Sequence, residues 1–243
     1  MVNMKPEQSI FLPGGFKQFR LLKSKVQLNE KVVLIIGPQS EKIGEKIIDA
    51  GAKSVDIIVS DYDSLISSRL NIPKEKNISV RMMDYDNTDF ADDTFDLVYA
   101  QASISLKNRN KIIKEIKRIL KPEALLCVGE ITALRETYPQ FVKDIFESSG
   151  ILPLHHNKCA EYYESKNFSL DYEEDLSSSL RSYYENTVNQ LKSVIETLSD
   201  KEKSYYKKLL NRISHESNAY LKLGADKYIG FKLLILKLRA VGS

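Results

Sequence analysis

Two aspartates in this chain stand where buried strands are predicted to end, and that position suits the binding of a nucleotide. Asp61 follows the apolar run Val55–Val59, and Asp84 ends the run that begins at Ser79. A carboxylate that ends the second strand of a nucleotide-binding sheet can accept hydrogen bonds from both hydroxyls of a ribose. Ligands of open parallel sheets bind outside the carboxyl ends of the strands, so the two aspartates mark one candidate binding edge.

Several other residues directly follow predicted strands at the same edge. Gly37 and Pro38 come after the run Lys31–Ile36, and Gln101 comes after the run Phe95–Ala100. The candidate ligand contacts at this edge are therefore Gly37, Pro38, Asp61, Tyr62, Asp84, Tyr85 and Gln101. Other roles stay open, because the aspartates can cap the helices that follow them and Gln101 can satisfy backbone groups of a loop.

The first predicted strand, helix and strand position this edge. The β-branched run Lys31–Ile36 is typical of a strand that is buried on both faces. Ser40 is expected to cap a helix that continues to Asp49 and that Gly51 ends. The second strand, Val55–Val59, follows directly, so the turn after the first strand is predicted to lie beside the carboxylate after the second.

The residues from Ser79 to Glu130 predict further strands and an amphipathic helix. Phe95–Ala100 and Leu125–Val128 are apolar runs of strand length. The helix between them has its basic residues on one face and these apolar residues on the other: Ile112, Ile113, Ile116, Ile119 and Leu120. Pro122 is expected to stop this helix. Strand, helix and strand then form one right-handed crossover of a parallel sheet.

The order of motifs in this stretch resembles the class I S-adenosylmethionine-dependent methyltransferases of the small-molecule type (methyltransferase type 11, ubiquinone-biosynthesis-like). Asp84 is followed by DFADDTFDLVYA and, after the helix, by RILKPEALLCVGE. In that family an acidic residue ends the third strand, a Phe-Asp pair opens the fourth, and a Lys-Pro turn leads into the fifth. The resemblance implies an α/β fold with a Rossmann-like, doubly wound and mostly parallel sheet of about seven strands.

The resemblance also implies a cofactor and roles for the candidate residues. The cofactor is S-adenosylmethionine, with Asp84 accepting from the adenine amino group and Tyr85 flanking the base. Gln101 is implied to lie nearest the transferred methyl group. A Pro-Gly-Gly turn precedes the first strand in a number of small-molecule methyltransferases, so Gly14 and Gly15 are expected near the cofactor entrance.

The turn after the first strand departs from the family pattern. Ile35 stands at the usual acidic position, and Gln39 and Glu41 stand where further glycines would lie. Side chains there restrict the close approach of backbone to a ligand, and an inward Glu41 would place negative charge near the methionine carboxylate. Either the turn takes a different path, using Gly44, or the cofactor binds weakly or not at all.

Two other functions therefore stay open. The altered turn is compatible with a methyltransferase-like protein without catalysis that serves as a binding or regulatory module. A carboxylate after the second strand also suits a nicotinamide-dependent oxidoreductase, although the chain lacks G-x-G-x-x-G. The leading hypothesis is an S-adenosylmethionine-dependent methyltransferase that acts on a small-molecule acceptor.

The chain is predicted to consist of a core with two additions. These are an N-terminal lid and helix, residues 1–30, and a helical cap, residues 179–221, inserted before the last strand; the core is 31–178 with 222–240. A capping box of Ser199 and Glu202 divides the cap into two helices. By resemblance the cap roofs an acceptor pocket, in which aromatic faces could hold a cationic acceptor: Tyr183, Tyr184, Tyr205 and Tyr206. Packing between helices is the alternative role of each tyrosine.

Composition limits the partners and the compartment. Lys plus Arg 36 against Asp plus Glu 33 leaves a net charge of only +3, so neither nucleic acid nor membrane is expected as a partner. Cys127 and Cys159 give neither a disulfide framework nor metal-ligand spacing. His155 and His156 have no third spaced ligand and are expected to be exposed loop residues. Without a signal peptide or a membrane-length apolar run, we expect a cytoplasmic protein that binds no metal.

Overall fold

The computed structural model describes residues 10–240, apart from the side chains of Val194, Glu202, Tyr205 and Tyr206. The helices are α1 (Lys17–Lys25), α2 (Glu41–Asp49), α3 (Tyr62–Asn71), α4 (Arg109–Ile119), α5 (Gln140–Ser148), α6 (Cys159–Glu164), α7 (Leu180–Thr197) and α8 (Asp200–Lys222). The strands are β1 (Val32–Ile36), β2 (Ser54–Val59), β3 (Ile78–Met82), β4 (Phe95–Gln101), β5 (Leu120–Ala133), β6 (Leu154–His155), β7 (Phe168–Asp175) and β8 (Ile229–Leu238).

The strands form one sheet in the order β3-β2-β1-β4-β5-β8-β7, and the short β6 pairs with β5. Strands β1 to β5 pair in parallel along this order, whereas β8 runs antiparallel to both β5 and β7. The predicted Rossmann-like, mostly parallel sheet is confirmed. Because the chain leaves β1 towards β2 and leaves β4 towards β5, the loops diverge between β1 and β4 and a crevice opens there.

Helices cover both faces of the sheet, which is why the central strands are apolar on both sides. Leu22 of α1, Ile47 of α2 and Tyr220 of α8 belong to the core on one face. Ile116 of α4 and Tyr163 of α6 belong to the core on the other face. The predicted division of the cap into two helices is observed, because α7 ends at residue 197 and α8 begins at residue 200.

Helix α4 ends earlier than the sequence predicts. It stops at Ile119 and not at Pro122, because Leu120 is already extended and pairs with Phe95 at the start of β4. The strand that follows is consequently longer than the predicted Leu125–Val128. Pairing within the sheet therefore decides this boundary before the proline can.

The prediction that the paired histidines are exposed loop residues is wrong for both, because His155 is half-buried in a strand and His156 is buried. His155 lies in β6, which pairs with the end of β5. His156 is buried, and its Nδ1 lies 2.9 Å from the hydroxyl of Thr132. Burial lowers the pKa of the His156 imidazole, although the nearby Asp175 carboxylate opposes this change. The pairing of β6 with β5 is a tertiary contact that the local sequence does not indicate.

Within residues 10–240, no three or more His, Cys, Asp or Glu side chains are grouped so that they could hold a metal ion. A search of the same residues for a helix that is both long and apolar enough to cross a membrane found none.

A buried ion pair anchors the loops at the carboxyl end of β5. Glu130 is fully buried, and its carboxylate lies 3.1 Å from the Arg109 guanidinium at the start of α4. The hydroxyls of Ser105 and Tyr163 donate to the same carboxylate. Arg109 also donates to the carbonyl of Leu152, at 2.5 Å. The pair therefore joins the loop after β4 and the segment after α5 to the central sheet.

Arg109→Ala is expected to lower the free energy of unfolding by about 3–5 kcal/mol, because it leaves the Glu130 carboxylate buried without a counter-charge. Urea denaturation followed by circular dichroism measures the change. Arg181→Ala is the matched control: Arg181 is 54% exposed and lies 3.9 Å from each of its acidic partners, so its loss should cost less than about 1 kcal/mol. Equal decreases in the free energy of unfolding of the two variants would contradict this role of the buried pair.

Candidate functional site

The crevice between β1 and β4 is closed at its base by Gly37 and Ser103. Gly37 has φ +122°, and a Cβ on it would lie 2.6 Å from the Cβ of Ser103. The Ser103 hydroxyl donates a hydrogen bond to the carbonyl of Ile36. Glycine is therefore required at position 37, both for its backbone conformation and for the approach of the loop after β4.

The turn continues from Gly37 to α2 without a second glycine. Gln39 has φ +61°, in the left-handed region that favours glycine. Ser40 was predicted to cap α2, but its buried hydroxyl instead donates to the Gly37 carbonyl at 2.8 Å. The backbone at position 39 therefore has a conformation that favours glycine, although the residue there is glutamine.

Two residues that bear on the altered turn have structural roles outside the crevice. The Glu41 side chain is buried and accepts a hydrogen bond from the Ser68 hydroxyl of α3. Gly44 lies within α2, where a Cβ would lie 3.3 Å from Ile57 of β2, so this glycine lets the helix pack closely on the strand. Glu41 therefore places no charge in the crevice, and Gly44 does not form the turn.

Asp61 caps α3 and remains exposed to solvent. Its Oδ1 accepts from the backbone N–H of Ser64, and its Oδ2 accepts from the Ser64 hydroxyl, both at 2.8 Å. A carboxylate offers about four acceptor positions, so two of them remain for a ligand. The capping role that the sequence left open is present, and it is compatible with binding to a ribose.

The loop after β3 brings Tyr85 beside the end of β2. Tyr85 is buried and hydrogen-bonded to Ser60, and burial raises the pKa of its phenol. Asp84 is exposed and forms an isolated bridge with Asn87. Tyr62, at the start of α3, is 64% exposed. The structure therefore places Tyr85 near Asp61 and Asp84 on the same edge, and it leaves the Tyr62 ring in solvent.

Glu115 of α4 fixes the loop that carries Asp84 and Tyr85. The backbone N–H of Thr88 donates to Glu115 at 2.8 Å, and the Thr88 hydroxyl donates at 2.5 Å. Arg118 donates to the same carboxylate at 2.6 Å. Chiefly through the Arg118 hydrogen bond, and against the effect of burial, these contacts lower the pKa of Glu115 to about 2.

Gln101 fastens the N-terminal turn to the end of β4. Its amide NH₂ donates to the carbonyls of Pro13, at 2.6 Å, and of Gly15, at 2.9 Å, while its oxygen accepts from the Tyr99 hydroxyl at 2.5 Å. Gly14 and Gly15 both have positive φ, and the predicted Pro-Gly-Gly turn is observed. The Gln101 side chain therefore satisfies backbone groups of a loop, which was its alternative role.

A cavity of about 290 Å³ begins at the crevice and extends beneath the cap. Residues from the sheet edge, the N-terminal turn, α5 and the cap line it, among them Pro38, Gln101, Ser103, Tyr183, Tyr184 and Glu216. Two of the four tyrosines proposed for an acceptor pocket thus line a cavity. The side chains of the other two, Tyr205 and Tyr206, lie outside the described part of the structure.

Glu216 of α8 is a lining residue that the sequence analysis did not identify. Its carboxylate accepts from the Tyr184 hydroxyl at 2.8 Å and from the Ser149 hydroxyl at 3.2 Å. One signal was present, because Glu216 stands four residues before Tyr220 and so shares a helix face with it. The sequence does not indicate that this face closes over the sheet edge.

Residues 45–128 match the family model described as a methyltransferase domain. The fold is similar to that of a protein assigned as a sarcosine dimethylglycine methyltransferase from Galdieria sulphuraria, with TM-score 0.72, 12% identity, and 92% of this chain and 84% of that chain covered. It is also similar to the cyclopropane synthase MmaA2 from Mycobacterium tuberculosis, with TM-score 0.71, 14% identity, and coverages of 91% and 83%.

A third structure is phosphoethanolamine N-methyltransferase 2 from Haemonchus contortus, in complex with phosphomonomethylethanolamine and S-adenosylhomocysteine. The TM-score is 0.75 at 16% identity; 94% of this chain is covered but only 54% of that protein. At such low identity these similarities establish the fold alone. No match was found among curated proteins by sequence.

Gln39→Gly is expected to raise the free energy of unfolding by up to about 1 kcal/mol, because glycine adopts the left-handed conformation without a steric cost. Urea denaturation measures the change. Gln190→Gly is the control with the opposite expected sign: Gln190 is exposed inside α7, where glycine should cost about 1 kcal/mol. If Gln39→Gly lowered the free energy of unfolding as Gln190→Gly does, glycine would not stabilise the fold at position 39.

The pKa of Glu115 predicts a dependence of stability on pH. Because the folded-state pKa is about 2 against an ordinary 4.5, the carboxylate stabilises the fold fully above pH 4.5 and loses this effect as the pH falls towards 2. Glu115→Gln should therefore be less stable than the wild type at neutral pH, and the difference should shrink below pH 4.5. The midpoints of urea denaturation, measured across this pH range, test the prediction, with the exposed Glu147→Gln as control. A difference in stability between wild type and Glu115→Gln that stays constant at all pH values would contradict the lowered pKa of Glu115.

Proposed function

We propose that this chain, whose matched domain and fold are those of the class I S-adenosylmethionine-dependent methyltransferases, transfers a methyl group to a small-molecule acceptor. S-adenosylmethionine is the cofactor of this class. The single observation that carries the choice of a small acceptor is the cavity of about 290 Å³ that leads from the crevice to the cap. Small-molecule pockets in proteins have volumes of about 300–1,000 Å³, so this cavity lies close to the lower end of that range and suits a small metabolite.

The residues at the sheet edge fit this cofactor. Asp61 offers an exposed carboxylate with acceptor positions to spare, and a Cβ on Gly15 would meet no atom within 4 Å, so the N-terminal turn leaves open space. Glu41, whose charge would oppose a methionine carboxylate, is held by Ser68 instead. Asp61, Gly15 and Glu41 therefore do not block this edge of the sheet.

We assign the contacts in the order of the strands. Asp61 binds the ribose hydroxyls, Asp84 accepts from the adenine amino group, and the buried Tyr85 flanks the base. The remaining candidates have lesser roles at the margins of the same site: Gly37 and Pro38 beside the methionine part, Gly14 and Gly15 at the entrance, and Tyr62 on the exposed rim. Gln101 acts as a positioning residue, since its hydrogen bonds hold the N-terminal turn against β4.

When bound, S-adenosylmethionine supplies a methyl group on a positively charged sulfur, which is already an activated leaving group. The protein's share is then to orient the acceptor and to exclude water. Burial raises the pKa of Tyr183 to about 12 and that of Tyr184 further, so both phenols keep their protons at neutral pH and do not act as bases. Glu216 is the charged group among the described lining residues that can accept a proton from the acceptor.

The cysteines support a cytoplasmic location for this function. Cys127 and Cys159 are both free and buried. Burial raises the pKa of the Cys127 thiol well above its ordinary value and that of Cys159 to about 12. Free thiols are typical of proteins that work in a reducing compartment.

Asp61→Asn is expected to weaken the binding of S-adenosylhomocysteine by about ten- to a hundredfold, because a charged hydrogen-bond acceptor for the ribose is lost. Asparagine can still accept a hydrogen bond from the Ser64 N–H, so the N-cap interaction at the start of α3 is retained. Isothermal titration calorimetry with S-adenosylmethionine and S-adenosylhomocysteine, with NADH as the comparison nucleotide, measures the effect.

Asp63→Asn is the matched control, since this exposed carboxylate lies two residues away in the first turn of α3. It should bind S-adenosylhomocysteine as the wild type does. Equal affinity of wild type and Asp61→Asn would remove Asp61 from the site. Failure of the wild type to bind either S-adenosylmethionine or S-adenosylhomocysteine at millimolar concentration would overturn the proposed function and favour a non-catalytic, methyltransferase-like module.

A further inference from the structure

We propose that the cap end of the cavity binds an alkylammonium group through Glu216 and the rings of Tyr183 and Tyr184, so that the acceptor is an amine. The identification of this ligand as the acceptor rests on the proposed function. The binding of the cation itself depends only on residues of this chain.

The charge of the cavity comes from one residue. Among the described lining residues, Glu216 alone carries a charged side chain, and most of its neighbours are apolar. No Lys, Arg or His of the described residues forms an ion pair with Glu216. Arg212, one turn earlier on α8, donates instead to the carbonyl of Ser148. A carboxylate that faces a largely apolar cavity without a counter-charge attracts a cationic ligand.

The position of this carboxylate is fixed before any ligand arrives. Tyr184 donates to one oxygen of Glu216 from α7, and Ser149 donates to the other from the end of α5. The Tyr184 ring stacks on Tyr220 with a centroid distance of 4.3 Å, which orients its hydroxyl. Three elements therefore hold the carboxylate in place, and two acceptor positions remain on it.

Aromatic rings stand beside the carboxylate. Tyr183 and Tyr184 have centroids 5.0 Å apart and planes inclined by 66°, and both residues line the cavity. The faces of aromatic rings carry negative electrostatic potential and attract ammonium and methylated ammonium groups. A carboxylate and two aromatic rings together select for a cation with an apolar surface, which describes an alkylammonium ion.

The inference is tested with choline and 3,3-dimethyl-1-butanol, two probes of almost the same shape of which only choline is charged. Binding to the wild-type protein is measured by saturation-transfer NMR and by titration calorimetry, without cofactor. We expect saturable binding of choline and at least about tenfold weaker binding of the neutral alcohol. Equal binding of the two probes would show an apolar pocket without charge selection and would overturn the proposal.

Variants then assign the binding to the cap. Glu216→Gln should weaken choline binding about tenfold, and Tyr184→Phe, which keeps the ring but removes a donor to Glu216, should weaken it less. Glu185→Gln removes the same charge from an exposed position on α7 and should leave choline binding unchanged. If Glu216→Gln bound choline as tightly as the wild type does, the site would lie elsewhere. Tyr184→Phe provides the same test if Glu216→Gln fails to fold.

S-adenosylhomocysteine binding, measured on the same proteins, separates this inference from the proposed function. We expect Glu216→Gln to bind it with wild-type affinity. If that variant lost S-adenosylhomocysteine but kept choline, Glu216 would contact the cofactor's amino group and the amine assignment would fail. If the wild type bound choline but no S-adenosylhomocysteine, the cation site would stand and the proposed function would fail.

Discussion

The architecture of the site depends on the close approach of two loops between β1 and β4, where the strand order of the sheet changes direction. The loop after β1 and the loop after β4 meet at Gly37 and Ser103, where there is no room for a second Cβ, and the Ser103 hydroxyl holds the carbonyl of Ile36. With these loops fixed at the base, the crevice can open only above them, towards the N-terminal turn and the cap. Gln101 completes this arrangement by binding the turn from the end of β4.

Much of the sheet could be predicted because its elements are locally encoded. The β-branched run before Gly37 and the apolar face of α4 each specify one element without help from the rest of the chain. Where a tertiary contact competes with a local signal, the prediction fails. Leu120 pairs with β4 before Pro122 can end the helix, and His156 is buried because β6 pairs with β5.

The candidate site was predictable in position and less so in detail. Strand order places Asp61, Asp84 and Gln101 at one edge. The structure shows an additional role for two of them: Asp61 is the N-cap residue of α3, and Gln101 holds the N-terminal turn. In the altered turn, Gln39 adopts a left-handed backbone conformation that favours glycine. Glu216 could not be predicted, since only the packing of the cap on the sheet brings it to the cavity. In the proposed function, the sheet edge binds the methyl donor and the cap selects the acceptor.

A crystal structure of the protein grown with S-adenosylhomocysteine tests the central claim most directly. We predict electron density for the ribose beside the Asp61 carboxylate, for the base beside Tyr85, and for the sulfur at the mouth of the cavity that leads to Glu216. Density for the ligand in any other place, or no density at millimolar ligand when the crevice is free of lattice contacts, would contradict the assignment of this edge as a methyl-donor site.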